Sequence, residues 1–181
     1  MSYTTALDFV LAREGGKVDD PADRGGRTAY GITQRVYDHW RAGLNLDGAD
    51  VWEITQEEVA AIYRANYWDA VRGDEVCATD PRLALALFDC AVNSGPGRAV
   101  KQLQTALGIT ADGGFGRETR AALAACTDPD RLLTVMLATR DTFYRGLVAR
   151  DASQGRFLKG WLNRTNHVRE AVGLDPVPVT T

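Results

Sequence analysis

The segment DPRLALALFDCAVNSGPG, residues 80–97, constrains the fold more than any other part of the chain. Pro81 is tolerated in the first turn of a helix, and the glycines at 95 and 97 stop one, so the run between them reads as a helix that is apolar on most sides. A helix of that kind buries itself, which predicts a central core helix with other helices packed around it. Its neighbours carry helical spacing too. RAVKQLQTALG reads as an amphipathic helix, ITADGGFG as a turn and RETRAALAAC as a short helix. Asp128-Pro129 opens a long helix to about Arg150, with Leu132, Leu133, Met136, Phe143, Tyr144 and Leu147 on one stripe. A last helix is expected over roughly 156–172, and DPVPVTT reads as a loose tail.

Toward the N-terminus, Leu7, Val10 and Leu11 give a helix over residues 4–14, with Thr4 or Thr5 as its cap and Gly15-Gly16 as its stop. Thr33 caps a helix through about Trp40. Thr55 and Glu58 form a capping box for another, which runs to Trp68. Between Gly15 and Thr33 glycine, aspartate and proline dominate, so an irregular or hairpin-like segment is expected there. Strand signals are otherwise scarce. The fold class expected is mainly α.

At 181 residues and 45% hydrophobic composition the chain is long enough to bury a full core. No window approaches the 18 apolar residues of a membrane span, and the N-terminus lacks the basic, apolar and small-residue pattern of a Sec signal. Membrane insertion is therefore not expected. A net charge of -3 and a pI near 5.4 argue against nucleic acid, which needs a basic face. Cys77, Cys90 and Cys126 are odd in number, widely spaced and joined by only two histidines, His39 and His167; buried reduced thiols are expected, with neither a disulfide framework nor a zinc site.

The chemistry concentrates in EGGKVDDPADRGGRTAYGIT, residues 14–33. Glu14 lies at a helix C-terminus, whose partial negative charge disfavours a carboxylate and so favours the protonated form that a general acid needs. Alone it reads equally as a surface glutamate beside a glycine stop. Asp19, Asp20 and Asp23 read singly as turn formers. A calcium loop needs oxygen ligands in regular alternation and a closing bidentate acid, and this spacing has neither. A phosphate cradle would need a preceding strand and a Gly-Lys-Ser/Thr ending, also missing. Folded back as a hairpin, the segment can converge Glu14, Asp23 and Thr28 in a way that suits glycosidic cleavage: one carboxyl donates to the leaving oxygen while Asp23 and the Thr28 hydroxyl hold water or stabilise positive charge on the ring. No cofactor or metal is called for.

This same run resembles the signature of glycoside hydrolase family 108, the N-acetylmuramidases found among phage endolysins and secretion activator proteins. The resemblance extends through YRANYWDAVRGDEV and LFDCAVNSGPGRAVKQLQTALGITADGGFGRETRAAL to FLKGWLNRTNHV, covering nearly the whole chain. It implies a lysozyme-like helical fold in which residues 1–92 form a catalytic half and 93–181 a helical peptidoglycan-binding half, packed as one compact body. It also implies that Glu14 is the catalytic acid, with Asp23 and then Thr28 as further site residues. The E-x8-D-x4-T spacing is similar to the E-x8-D-x5-T of phage lysozymes, one residue shorter before the threonine. Lys17 stands where many members carry an aromatic residue, which removes a stacking contact.

Tyr30 and Trp68 are candidate sugar-stacking residues, as is Trp161, although aromatics at helical spacing also build cores. Asn93 and Ser94, just before Gly95, either bind an N-acetyl group or cap their helix. The implied function is a lysozyme-type peptidoglycan hydrolase, acting as a monomer on glycan strands at the β-1,4 bond between N-acetylmuramic acid and N-acetylglucosamine. A lytic transglycosylase is the nearest rival, and a non-catalytic wall-binding module or an oligomeric structural protein are rivals from other classes. With no export signal, such a protein is expected to accumulate in the cytoplasm and reach the wall through a holin or a dedicated secretion route.

Overall fold

The computed structural model describes residues 2–14, 16 and 27–180. The described residues are mainly helical, with a single short hairpin after the first helix, as the sequence implies. The chain divides into two compact units, Tyr3–Asn66 and Tyr67–Thr181 with Met1–Ser2.

The first unit begins with α1, Tyr3–Leu11, which buries Ala6, Leu7 and Val10. Its start corrects the expected cap: Thr4 and Thr5 lie inside the helix. Tyr3 instead anchors the helix by donating its hydroxyl to the Ala60 carbonyl at 2.5 Å. Strands β1, Thr28–Ala29, and β2, Ile32–Thr33, pair antiparallel with Thr28 opposite Thr33 and Ala29 opposite Ile32. The two residues between them, Tyr30 and Gly31, have φ of 52° and 73°. A two-residue turn whose positions are both left-handed matches the twist of the strands it joins, and Gly31 adopts it freely whereas Tyr30 must be held. Thr33 caps α2, Gln34–Gly43, by accepting from the Val36 amide. The capping box at Thr55 is present at the head of α3, Gln56–Tyr63, and Glu58 extends it by accepting from Tyr37 and Arg41, both at 2.8 Å. Burial raises the Glu58 carboxyl, but the Thr55 amide, Tyr37 and Arg41 outweigh it and hold it below its usual range.

In the second unit α4, Gly73–Thr79, is a helix the sequence reading missed. Next comes α5, Pro81–Ser94, capped by Asp80 and buried without a break from Leu83 to Ala91. It packs against α4, α6 (Pro96–Leu107), α8 (Pro129–Arg150) and α9 (Gly155–Ala171), so the expected core helix is the centre of this unit. The short α7, Arg117–Ala124, follows a loop organised by the buried Gln104 amide, which bonds Asp112, Gly114 and Thr119 at 2.8 to 3.0 Å.

Asp89 is the exception within α5. It is completely buried, and its two oxygens face Arg140 of α8 at 2.7 Å and Arg164 of α9 at 2.9 Å. Burial alone would raise this carboxyl; the two guanidiniums outweigh that and lower it. Burial pushes the neighbouring Cys90 thiol up to about 11. Cys77, Cys90 and Cys126 form no disulfide, and only Cys90 is fully buried.

The C-terminal segment corrects another expectation. Residues 175–180 are tied down, because the Asn166 side chain donates to the Val177 carbonyl at 2.8 Å and accepts from its amide at 3.0 Å, while Arg145 donates to the Thr180 carbonyl. A side-chain amide that pairs with a backbone amide in both directions leaves no periodic trace in sequence. Among the described residues no helix is long and apolar enough to cross a membrane.

Trp68 corrects a third. It is 1% exposed, donates its ring N–H to Asp74 at 2.9 Å and meets Phe88 edge-on at 5.5 Å, so no sugar can stack on it. Gly73 lies so close to the indole that a Cβ there would overlap the ring. Gly73→Ala is accordingly expected to destabilise by about 1–3 kcal/mol, the cost of overpacking, despite the better helix propensity of alanine. Urea unfolding checks it.

Candidate active site

Glu14 stands just past α1. Its amide still bonds the Val10 and Leu11 carbonyls at 3.2 Å, so its backbone is held to the last turn of the helix. Glu14 is half-buried. It projects toward the hairpin turn: a Cβ built on Gly31 would lie 3.2 Å from Glu14 Oε2 and 3.0 Å from the Tyr63 hydroxyl. A Cβ there would be tight against both oxygens and would sit on a backbone of positive φ. Tyr63, at the end of α3 and nearly fully buried, donates its hydroxyl to the Tyr30 carbonyl at 2.7 Å. This bond holds Tyr30 in its left-handed conformation. Three elements therefore converge here, the end of α1, the β-turn and the end of α3.

The hairpin is anchored at its base as well. The Gln34 amide donates to the Arg27 carbonyl at 2.8 Å, and the Gln34 side chain bridges the Ala49 carbonyl and the Val51 amide. Arg27 pairs with Asp50 and lies over the Trp52 ring at 4.5 Å. Because Arg27 and Asp50 are substantially exposed, the ion pair itself adds little stability and serves mainly to fix direction.

Of the residues picked from sequence, Glu14 and Tyr30 are brought together at this turn, and Thr28 sits half-buried in β1 opposite Thr33. Asp23, with Asp19, Asp20 and Lys17, lies outside the described residues. Asn93 and Ser94 belong to the second unit. They do not cap α5; Asn93 Oδ1 accepts from the Tyr144 hydroxyl and from Ser94 Oγ, the latter at 3.3 Å. Tyr144 in turn accepts from Arg140 Nε at 2.9 Å, so Asn93 is wired into the buried Asp89 cluster. Trp161 stacks on Tyr144 at 5.1 Å. His39 and His167 are exposed. The sequence reading missed Gly31 and Tyr63. Tyr-Gly between Thr28-Ala29 and Ile32-Thr33 is a signal for the turn; the reach of the Tyr63 hydroxyl leaves no such mark.

Residues 7–95 match the family described as Glycosyl hydrolase 108, and residues 98–166 match a Predicted Peptidoglycan domain. No curated protein matches the chain. A solved structure, that of Brucella abortus SagA, is similar over 94% of this chain and 92% of its own, with 35% identity and a TM-score of 0.76. With a helix-end glutamate set against a rigid turn in one part and a peptidoglycan domain in the next, this chain belongs to the glycosyl hydrolase 108 family and has a peptidoglycan-hydrolase role.

Proposed function

We propose that the protein is an N-acetylmuramidase that cleaves the β-1,4 bond between N-acetylmuramic acid and N-acetylglucosamine, with Glu14 as general acid. The observation that carries this reading is the seating of the Glu14 carboxyl on the turn at Gly31 beside the Tyr63 hydroxyl. As the protonated glycosidic oxygen leaves with the bonding electrons, positive charge builds on the N-acetylmuramic acid ring whose C1–O bond breaks; Asp23 offsets that charge while Thr28 orients the attacking water. Tyr30 stands on the turn itself and contacts the sugar bound there. Asn93 and Ser94 are less suited to an N-acetyl group, because Tyr144 already engages the Asn93 oxygen.

The protein acts as a monomer on glycan strands. It accumulates in the cytoplasm and meets its substrate after release by a holin or a dedicated secretion route; recovery of active protein from the periplasm of cells that lack both routes would overturn this.

The test of the reaction is mass spectrometry of soluble fragments from purified peptidoglycan. New reducing N-acetylmuramic acid ends are expected. Reducing N-acetylglucosamine ends would make the enzyme a glucosaminidase, and anhydro ends a transglycosylase.

The turn supplies a further expectation. In Gly31→Ala, a Cβ at positive φ would press on both Glu14 and Tyr63. Strain of about 1–2 kcal/mol is expected, together with at least about a tenfold fall in kcat, because displacement of a reacting group by about an ångström costs that much or more. A kcat equal to that of the wild type would mean that the turn does not position the acid.

A further inference from the structure

A groove of about 660 Å³ opens in the second unit, where three helix ends meet: the last turn of α6 with its Gly108 cap, the end of α7 and the first two turns of α8. All its lining lies within the residues matched as a peptidoglycan domain. Leu107, Ala122, Leu132 and Val135 supply an apolar lining, and no aromatic ring is among the lining residues. Sugar rings are held largely by stacking on aromatic faces, so this lining suits small aliphatic side chains better than glycan.

Its polar features are arranged by sign. The C-terminal ends of α6 and α7 present carbonyls and partial negative charge, whereas the N-terminal end of α8 presents partial positive charge. Arg131, exposed on the first turn of α8, adds a full positive charge on that side. Of the acids beside it in sequence, Asp130 pairs with Arg82 at 2.7 Å, while Asp128 lines the groove, caps α8 by accepting from the Arg131 amide and keeps its negative charge. The groove thus joins an aliphatic lining to polar groups of both signs, with Arg131 to meet a carboxylate and the Asp128 carboxylate and the carbonyl ends of α6 and α7 to meet an ammonium.

We propose that this groove binds the peptide stem of peptidoglycan. The stem is a short chain with alanine methyls, free carboxylates and, at its diamino acid, a free ammonium group, which is the combination the groove offers to meet. Its carboxylate lies at Arg131 and its ammonium toward the carbonyl ends of α6 and α7. The assignment rests on the reading that this chain works on peptidoglycan, but it does not depend on which residue cleaves the glycan. It gives the second unit a hold on peptide while the first works on sugar.

Cys126 lines the groove as a half-buried free thiol and so provides a reporter. The experiment uses the full chain with Glu14→Gln, so that no turnover occurs. Maleimide labelling of Cys126 is followed by peptide mapping, which separates it from Cys77, in the presence of the free tetrapeptide L-Ala–γ-D-Glu–diaminopimelate–D-Ala or of chitotetraose. Protection by the tetrapeptide alone is expected, and Arg131→Glu should weaken tetrapeptide affinity about tenfold or more, the loss of one charge-assisted contact. Protection by chitotetraose alone, or no protection by the tetrapeptide while the protein still sediments with insoluble peptidoglycan, would overturn the groove assignment and leave the peptidoglycan reading standing. Failure to sediment with peptidoglycan at all would overturn both.

Discussion

Asp89→Asn is expected to destabilise the protein by about 3–5 kcal/mol, because it leaves the fully buried Arg140 facing a neutral amide in place of a carboxylate. Taking charge out of water is costly, and the cost is tolerated here only while one carboxylate serves two guanidiniums. The same logic predicts an asymmetry. Replacing Asp89, Arg140 and Arg164 together by leucine or methionine should recover most of the loss, since an apolar cluster of similar volume carries no desolvation penalty. The pH dependence follows from the direction of the Asp89 shift. Its carboxyl is lower in the folded protein than its ordinary value of 3.8, so the stability it contributes is fully present above that value and is lost as pH falls through the folded pKa. Urea midpoints between pH 3 and pH 7 should therefore fall steeply at the acid end for the wild type and more gently for the triple variant. Equal slopes would show that Asp89 is not ionised in the folded state.

Glu14→Gln is expected to lower turnover on peptidoglycan by about 10² to 10⁴-fold while stability and wall binding stay close to wild type. Glutamine keeps the shape of the side chain against Gly31 and Tyr63, so the hairpin need not move. What it cannot do is release a proton to the leaving oxygen. A KM close to that of the wild type would accompany the fall, because the interaction lost is made in the transition state. A rise in KM at unchanged kcat would instead make Glu14 a binding group.

The two regions differ in how far the sequence discloses them, for a physical reason. Leu83 to Ala91 are buried on every side, and an unbroken apolar run between a proline and a glycine has few other solutions. Caps are equally local: Thr33, Thr55 with Glu58, Asp80 and Asp128 all cap helices in the structure. The end of α1 was legible only approximately: the expected helix ran to Glu14, whereas α1 ends at Leu11 and Glu14 follows in the turn beyond it. Features that depend on a partner distant in the chain were not. Asp89 looks like a blemish in an apolar helix until Arg140 and Arg164 reach it, residues some 50 and 75 positions later. Trp68 has the right chemistry for a sugar platform, and only its enclosure by Asp74, Phe88 and Gly73 removes it from that role. Tyr63 looks like a core aromatic, which it is; its hydroxyl nevertheless shapes the turn beside the acid. Asn166 gives the C-terminal segment its anchor by a pairing that no periodicity reveals.

The central claim is that Glu14 acts by proton donation, and a leaving-group comparison tests it most directly. In a 2,4-dinitrophenyl glycoside of the N-acetylglucosaminyl-N-acetylmuramic acid unit the dinitrophenolate departs without protonation, whereas the natural leaving sugar needs a proton. Glu14→Gln should lose its activity on peptidoglycan yet cleave the dinitrophenyl glycoside at a rate within about tenfold of wild type, since removing an acid matters only where a proton is needed. Equal losses on both substrates would contradict the account and place Glu14 in bond formation or in holding the site together.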